Sequence, residues 1–407
     1  MLNRVTVRPI LADELPKVAR LRAVGFGGDE RRVLQRLKQQ PRYNYSHIII
    51  AEYEGEAIGT ATAFPVDMWL SGVPVKVGAV AGVTVLPEFR RKGIAAKMME
   101  FLIVRMFAEG QAMSALFPFS HKYYRQFGYE TVGDVHAYRI NPQNLTVFPE
   151  GHKVRPYQPD DLPMMRVIHK AQLTWRNGWF TRPNEWWAWL VNRWPDIMVY
   201  DNDGMIEGYY FYNITTTDRG ERVLHLLEFM ATEDEAYRGL IGYLAAQNEA
   251  DVIEYMAPPD TLLRHALRQP YADEAVTRQW VFKDLCHVTP GMMARIINLP
   301  AALTARFYTR GLSGERTLKV HDRFIPTNEE PLVFRIVDGR AETRPADNGK
   351  RPDIETDIGT FTQVLCGYIT PTDARRLGRF HADENTCSWL EKAITDTPLY
   401  VPAGDWF

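Results

Sequence analysis

A short pattern occurs twice in this chain and constrains its architecture. Val7-Arg8-Pro9 is followed by Asp13-Glu14-Leu15-Pro16, and much later Val154-Arg155-Pro156 is followed by Asp160-Asp161-Leu162-Pro163. Each copy reads as a strand closed by proline and then a helix start, where an early proline sacrifices no helical hydrogen bond. The recurrence predicts a duplicated domain. With 407 residues the chain has length for two or three domains, and a 45% hydrophobic fraction furnishes ordinary cores.

Within the first copy, an apolar strand over residues 80–86 stops at Pro87, the basic loop Arg90-Arg91-Lys92-Gly93 follows, and a helix begins at Ile94 and runs to about residue 109. The first N–H groups of a helix have no internal partner, and its dipole favours negative charge there. Gly93 can adopt a positive φ, so neighbouring N–H groups can converge on a phosphate. This is neither a Walker loop, since no Gly-Lys-Ser/Thr follows, nor a dinucleotide fingerprint, since Gly-x-Gly-x-x-Gly is absent. In the second copy, residues 226–231 occupy the place of the strand. Aligning Gly239 with Gly93 puts Ala236 and Tyr237 where Arg90 and Arg91 stand. The second unit is therefore expected to keep the turn, lose the charge and serve structurally.

Apolar residues at Ile94, Met98, Phe101, Leu102 and 104–106 predict a helix packed on a sheet. Residues 115–118 read as the next strand, and Ser120 to Glu130 contains Tyr124-x-x-Phe127-Gly128-Tyr129. A third region opens near Thr289. Residues 291–306 have helical spacing, with Pro300 expected to kink or divide the helix. Residues 317–320 and 332–337 read as strands, and Asp338-Gly339-Arg340 as a hairpin turn into a third. Residues 358–365 begin another apolar segment. The tryptophans at 175, 179, 186, 187, 189 and 194 are read first as helix residues packed on a sheet, with an interface as the other reading.

A formal charge of −2 gives no support for nucleic-acid binding. Three cysteines, Cys286, Cys366 and Cys387, lack metal-ligand spacing and suit a reducing compartment. No signal-peptide pattern or membrane-length apolar run is present, so the expected setting is cytoplasmic.

Arg90-x-x-Gly93-x-Ala95 resembles the pyrophosphate-binding signature of the GNAT acyltransferases. Tyr124-x-x-Phe127-Gly128-Tyr129 resembles the segment of that superfamily that carries a tyrosine near the coenzyme sulfur. Two such units, the second worn, followed by a unit similar in element order to sterol carrier proteins, resemble the Eis family of N-acetyltransferases. The implied fold is α/β and α+β: a catalytic GNAT domain over 1–148, a degenerate one over 149–288, and a sterol-carrier-like domain over 289–407.

The resemblance implies acetyl-coenzyme A as cosubstrate, with no metal, and a hexamer as the homo-oligomer. Val83, Thr84 and Val85 would pair with the pantetheine amides. Arg91, Lys92, Gly93, Ile94, Ala95 and Ala96 would wrap the pyrophosphate, and Phe119 and Ser120 would border the coenzyme. Tyr124 corresponds to the general acid. The α-carboxylate of a terminal aromatic residue, here Phe407, corresponds to the base, and an apolar tail over 399–407 is expected to be ordered. The implied acceptor is a small polycationic amine such as an aminoglycoside, for which Asp29, Glu30 and Asp405 are candidate partners. A protein-lysine acetyltransferase and a lipid-binding module on inactive scaffolds are the alternative readings.

Overall fold

The computed structural model describes residues 1–194, 196–272, 277–278, 281–347, 349–395 and 399–407. The first unit runs β1 (Thr6–Pro9), α1 (Leu15–Phe26), α2 (Glu30–Gln39), β2 (Ile48–Tyr53), β3 (Glu56–Leu70), β4 (Val73–Val85), α3 (Ile94–Ala108), β5 (Met113–Leu116), α4 (His121–Arg125), β6 (Glu130–Thr131) and β7 (Asp134–Ile140). The second runs β8 (Val154–Pro156), α5 (Leu162–Leu173), α6 (Asn184–Arg193), β9 (Ile197–Asn202), β10 (Met205–Thr216), β11 (Arg222–Ala231), α7 (Asp234–Ala246) and β12 (Val252–Ala257). A ribbon of β13 (Thr277–Arg278) and β14 (Phe282–Lys283) leads to β15 (His287–Pro290) and β16 (Met293–Ile296).

The repeated sequence pattern is a repeated structure. Arg8 donates to both Glu14 oxygens at 2.7 and 2.8 Å, and the Leu11 N–H donates to the same carboxylate. In the second unit Arg155 donates to Asp161 at 2.8 and 2.9 Å, and the Gln158 N–H takes the place of Leu11. Each carboxylate thus ties a strand to the entry of the next helix, with Pro16 or Pro163 in its first turn. The hydrogen bonds from Arg8 hold the Glu14 carboxyl well below its ordinary range.

The units exchange strands. The first seven-stranded sheet has the order β1-β2-β3-β4-β5-β16-β6, so its β16 comes from beyond the second unit. The second sheet, β15-β7-β12-β11-β10-β9-β8, takes β7 from the first. Residues 293–296 are thus a strand, although apolar spacing over 291–306 predicts a helix. All four are buried, and a fully buried strand shows no alternation by which to tell it from a helix. The helix there is α8 (Leu299–Thr304), with Pro300 in its first turn.

Gly239 also differs from expectation. It lies inside α7, where a Cβ would fall 2.3 Å from the Tyr200 ring, so it permits close helix–strand packing and makes no turn. The counterpart of Gly93 is Glu233, the N-cap of α7, followed by Asp234 and Glu235 in the first turn. Three acids stand where the first unit has a basic loop, and they repel a phosphate. The second unit is degenerate through charge reversal as well as charge loss.

The third unit adds β17 (Gly314–His321), β18 (Leu332–Val337), β19 (Arg340–Pro345), β20 (Ile354–Asp357), α9 (Ile358–Leu365), α10 (Pro371–Arg376), β21 (Phe380–His381) and α11 (Glu384–Ala393). Its sheet order is β19-β18-β17-β20-β21. Asp338 and Gly339, at φ 47° and 76°, make the β18–β19 turn. Leu318, Val320, Phe334, Ile336, Ile354, Phe361 and Leu390 close on one another with almost no exposure, in a core continuous with Met68, Val75 and Met113 of the first unit.

This unit is docked firmly on the first. The Thr362 hydroxyl accepts from the Ile296 N–H at 3.0 Å, and Gln363 donates to the Thr131 carbonyl at 2.8 Å. The buried Arg295 on β16 meets Asp322 at 2.5 and 2.7 Å and donates to the Phe127 carbonyl. Gly128 approaches Ile358 so closely that a Cβ would lie 2.6 Å from its methyl. This docking holds the Tyr124–Tyr129 segment in place.

Candidate active site

The parallel pairing of β4 with β5 ends at Val80 opposite Leu116, and beyond it the strands part. On its other edge β4 continues along β3, with Ala81 opposite Thr62 and Thr84 opposite Thr60. The register shift between those pairs is a bulge at Gly82 and Val83, and Gly82 takes φ 60°. One edge of residues 81–85 therefore faces an open wedge, where backbone groups not taken by β3 or by Arg90 can receive an extended amide chain.

The loop at the mouth of the wedge is built for an anion. After a turn over Pro87–Phe89, Arg91 and Gly93 both adopt left-handed conformations, at φ 59° and 80°. For arginine that conformation costs on the order of 1–3 kcal/mol, which the surrounding structure must offset. Gly93 is the N-cap of α3. It supplies no side-chain cap, and no acid lies in the first turn, so among the described residues the N–H groups of Ile94, Ala95 and Ala96 have no capping partner. Arg91 and Lys92 are exposed beside them. Arg90 is already engaged, donating from Nε to the Val85 carbonyl at 3.1 Å, and closes the strand end. The residue types and open donors fit a pyrophosphate. Arg91→Ala with Lys92→Ala should weaken acetyl-coenzyme A binding tenfold or more, since each charge-assisted bond is worth roughly 1.5–3 kcal/mol. Calorimetry checks this, and Arg238→Ala in the second unit should leave the affinity unchanged.

Alternation along β4 separates two faces of the wedge. Val80, Val83 and Val85 turn toward α3 and share a core with Tyr124, Phe127 and Tyr129. Tyr124 is 3% exposed, on the helical turn that Ser120 caps through its hydroxyl. Its ring meets Phe119 at 5.2 Å, Tyr123 at 5.2 Å and Tyr129 at 6.2 Å. Burial, and then the neighbouring Tyr123 and Tyr129, push the Tyr124 phenol above its ordinary value, so it stays protonated throughout the working range. The Tyr129 hydroxyl is fixed against Ser114 at 2.7 Å, while the buried Tyr123 hydroxyl has no hydrogen-bond partner.

Ala79, Ala81 and Phe64 face the other way, where Phe407 joins them. The Phe407 ring meets Phe117 at 5.2 Å, Phe64 at 5.6 Å and Phe180 at 5.9 Å. A mostly apolar cavity of about 350 Å³ borders this ring, lined by Phe117, Met256, Met292, Tyr400 and Trp406, with Asp134 also on its wall. The tail over 399–407 is ordered as expected, and Asp405 anchors it. Asp405 is fully buried, accepting from Arg182 at 2.9 Å and Arg42 at 3.0 Å, and Arg182 also donates to the buried Glu228.

Asp405 therefore does not face an acceptor as the sequence reading proposed. Asp29 caps α2 through the Arg32 N–H, and Glu30 is exposed on the first turn of that helix. Burial pushes the Asp405 carboxyl up, but Arg182 and Arg42 outweigh it and hold it below its usual value. A depressed carboxyl stabilises above its unfolded pKa near about 3.9 and loses that contribution as pH falls below it. Asp405→Asn should strip the buried Arg42 of its carboxylate, leave Arg182 with Glu228 alone and destabilise by about 3–5 kcal/mol. Thermal unfolding should show the mutant's deficit at pH 7 shrinking below pH 4.

Comparisons with known proteins now bear on this geometry. Residues 6–132 match an acetyltransferase (GNAT) domain family, 178–296 a second acetyltransferase (GNAT) domain family, and 299–402 a sterol carrier protein domain family. N-acetyltransferase Eis of Mycobacterium tuberculosis is 24% identical over 326 residues, 74% of each chain. Over that share of its length the chain is similar to the Eis N-acetyltransferases. A further relative, an N-acetyltransferase of Streptomyces avermitilis, is 22% identical over 378 residues, 84% of each chain. Two solved structures share the fold of this chain. A GCN5-related N-acetyltransferase from Anabaena variabilis is 18% identical, covers 99% of this chain and 100% of that one, and has a TM-score of 0.85. Eis1 from Mycobacterium abscessus is 22% identical with the same coverage and a TM-score of 0.77.

This chain is thus an acetyl-coenzyme A-dependent acetyltransferase with two GNAT domains and a C-terminal sterol carrier domain. Among the described residues no helix is long and apolar enough to cross a membrane. Two features escaped the sequence reading: the buried network of Arg42, Arg182, Glu228 and Asp405, and Arg22, which lies against the bulge. Both join residues far apart in the chain, and no local pattern marks them.

Proposed function

We propose that the wedge of the first domain carries an acetyl group from acetyl-coenzyme A to the amine of a small molecule by direct attack. The observation that carries this reading is the opening of β4 from β5 between the uncapped start of α3 and the buried Tyr124. In this reading Val83, Thr84 and Val85 pair with the pantetheine, and Arg91, Lys92, Gly93, Ile94, Ala95 and Ala96 hold the pyrophosphate. Phe119 and the Ser120 turn border the coenzyme. N–H groups at the Gly82 bulge can donate to the carbonyl oxygen as it gains charge.

Tyr124 acts on the sulfur side. A phenol raised above its ordinary value remains a hydrogen-bond donor but is a weaker acid than an ordinary thiol. Its contribution is a hydrogen bond that strengthens as charge builds on the sulfur, with proton transfer late. The α-carboxylate of Phe407 acts on the opposite face as the base for the amine. The packing of its ring against Phe64 and Phe117 supports this placement.

The family resemblance would make the acceptor a polycation such as an aminoglycoside. Little here supports that refinement, since Asp405 is spent on arginines and the cavity beside Phe407 is mostly apolar, with Asp134 the one side-chain carboxylate on its wall among the described residues. The packed interior of the sterol carrier domain favours a scaffold that positions the tail. The same resemblance supplies a hexamer, while the cytoplasmic setting rests on the sequence composition; light scattering at micromolar concentration tests the assembly. Acetyl-coenzyme A-dependent thiol release over a panel of amines tests the activity; release that no amine accelerates would refute the reading.

A further inference from the structure

Arg22, on α1, is 92% buried by its 8% exposure and has no acidic partner: among the described residues no carboxylate lies within ion-pair distance. Its guanidinium instead donates to two hydroxyls, Thr62 at 2.6 Å and Tyr43 at 3.1 Å, and lies over the Tyr43 ring at 5.1 Å. Its Nε is buried and has no hydrogen-bond partner. Burying a cation with a donor left over is costly, and such a group beside a proposed reaction centre is a candidate for completion by a ligand.

The position of this cation is informative. A Cβ built on Gly82 would lie 2.5 Å from the guanidinium, so Arg22 rests directly on the bulge. It reaches there because Gly25, one turn further along α1, lets the helix press onto Thr84. Thr62 and Thr84 turn away from α3, toward the face where Tyr43, Phe64 and Phe407 gather. That is the face from which an amine approaches a carbonyl held at the bulge.

We infer that Arg22 binds the carboxylate of the acceptor, which is a zwitterionic amine of the α- or β-amino acid class, and that it discriminates against amines lacking this group. This rests on the proposed placement of the reacting carbonyl at the Gly82 bulge. The cation touches the same glycine, so acid and amine must be separated by only one or two carbons. A polycation would be repelled at this position.

The test uses matched pairs that differ only by the carboxylate: phenylalanine with phenethylamine, and lysine with cadaverine. Thiol release is measured for the full chain, with acetyl-coenzyme A affinity measured in parallel by calorimetry. At least one amino acid should exceed its decarboxylated partner by about 10- to 100-fold in kcat/KM, the range for a charge-assisted contact. In Arg22→Gln that ratio should fall to within a few-fold of one, chiefly through KM for the amino acid. Arg22→Lys should restore part of it.

A wild-type preference for the decarboxylated amines, or a ratio near one, would overturn the inference. So would an equal loss on both members of a pair in Arg22→Gln, which would show that Arg22 merely props the bulge or touches the oxyanion. Coenzyme binding without acetylation of any of the four amines would also overturn it while leaving the coenzyme site intact. Failure to bind acetyl-coenzyme A would instead remove the cleft reading on which it stands.

Discussion

Tyr124→Phe should lower turnover on the order of 10²–10⁴-fold while leaving acetyl-coenzyme A affinity within a few-fold of wild type. The substitution deletes one oxygen and keeps the ring in contact with Phe119, Tyr123 and Tyr129. Stability should therefore change little, and the loss should fall in kcat. Tyr129→Phe makes a useful contrast, because its hydroxyl is engaged with Ser114, which keeps its own bond to the Gly78 carbonyl when that hydroxyl is removed. It should destabilise the domain by about 0.5–1.5 kcal/mol, the worth of one hydrogen bond, and slow turnover much less. Burial raises the Tyr124 phenol, so the pH profile should show no alkaline decline from this group up to pH 10. A near-normal rate in Tyr124→Phe would pass the role to Tyr123, whose buried hydroxyl is unpartnered.

The second large effect concerns the other face of the wedge. Adding residues after Phe407 turns its carboxylate into a neutral amide and forces bulk beside Phe64 and Phe117. Deleting Phe407 moves the carboxylate by up to about 3.3–3.6 Å of chain reach, too far for a group that must sit at hydrogen-bond distance from the amine. Both changes should cut turnover by about 10²-fold or more. Coenzyme affinity should survive, since the pyrophosphate loop lies on the far side of β4. Phe407→Leu keeps the carboxylate and most of the packing and should be milder. Steady-state kinetics with circular dichroism as a fold control checks this, and full activity in the extended chain would assign the base elsewhere.

How much of this was legible in the sequence depends on how local each feature is. The strand, loop and helix from residue 80 onward could be read because apolar alternation, Pro87 and Gly93 are neighbours in the chain. The Arg8–Glu14 and Arg155–Asp161 staples were visible as a repeated pattern for the same reason. Residues 293–296 were misread because burial on every side erases alternation, and their hydrogen bonds come from β5 and β6, far away in sequence. Gly239 misled because a glycine that permits close packing looks the same as one that makes a turn. Asp405 misled because only the fold reveals Arg42 and Arg182 around it. Arg22 is one of several arginines on its helix region, and nothing short of the fold sets it against the bulge.

Direct attack at this wedge is tested most directly by mixing the enzyme with acetyl-coenzyme A in the absence of any amine and reading free thiol and intact protein mass together. The account predicts no stoichiometric thiol burst and no gain of an acetyl group by the chain, with thiol appearing only once an accepted amine is added. A burst equal to the enzyme concentration, accompanied by an acetylated chain that passes its acetyl group to the amine, would contradict it.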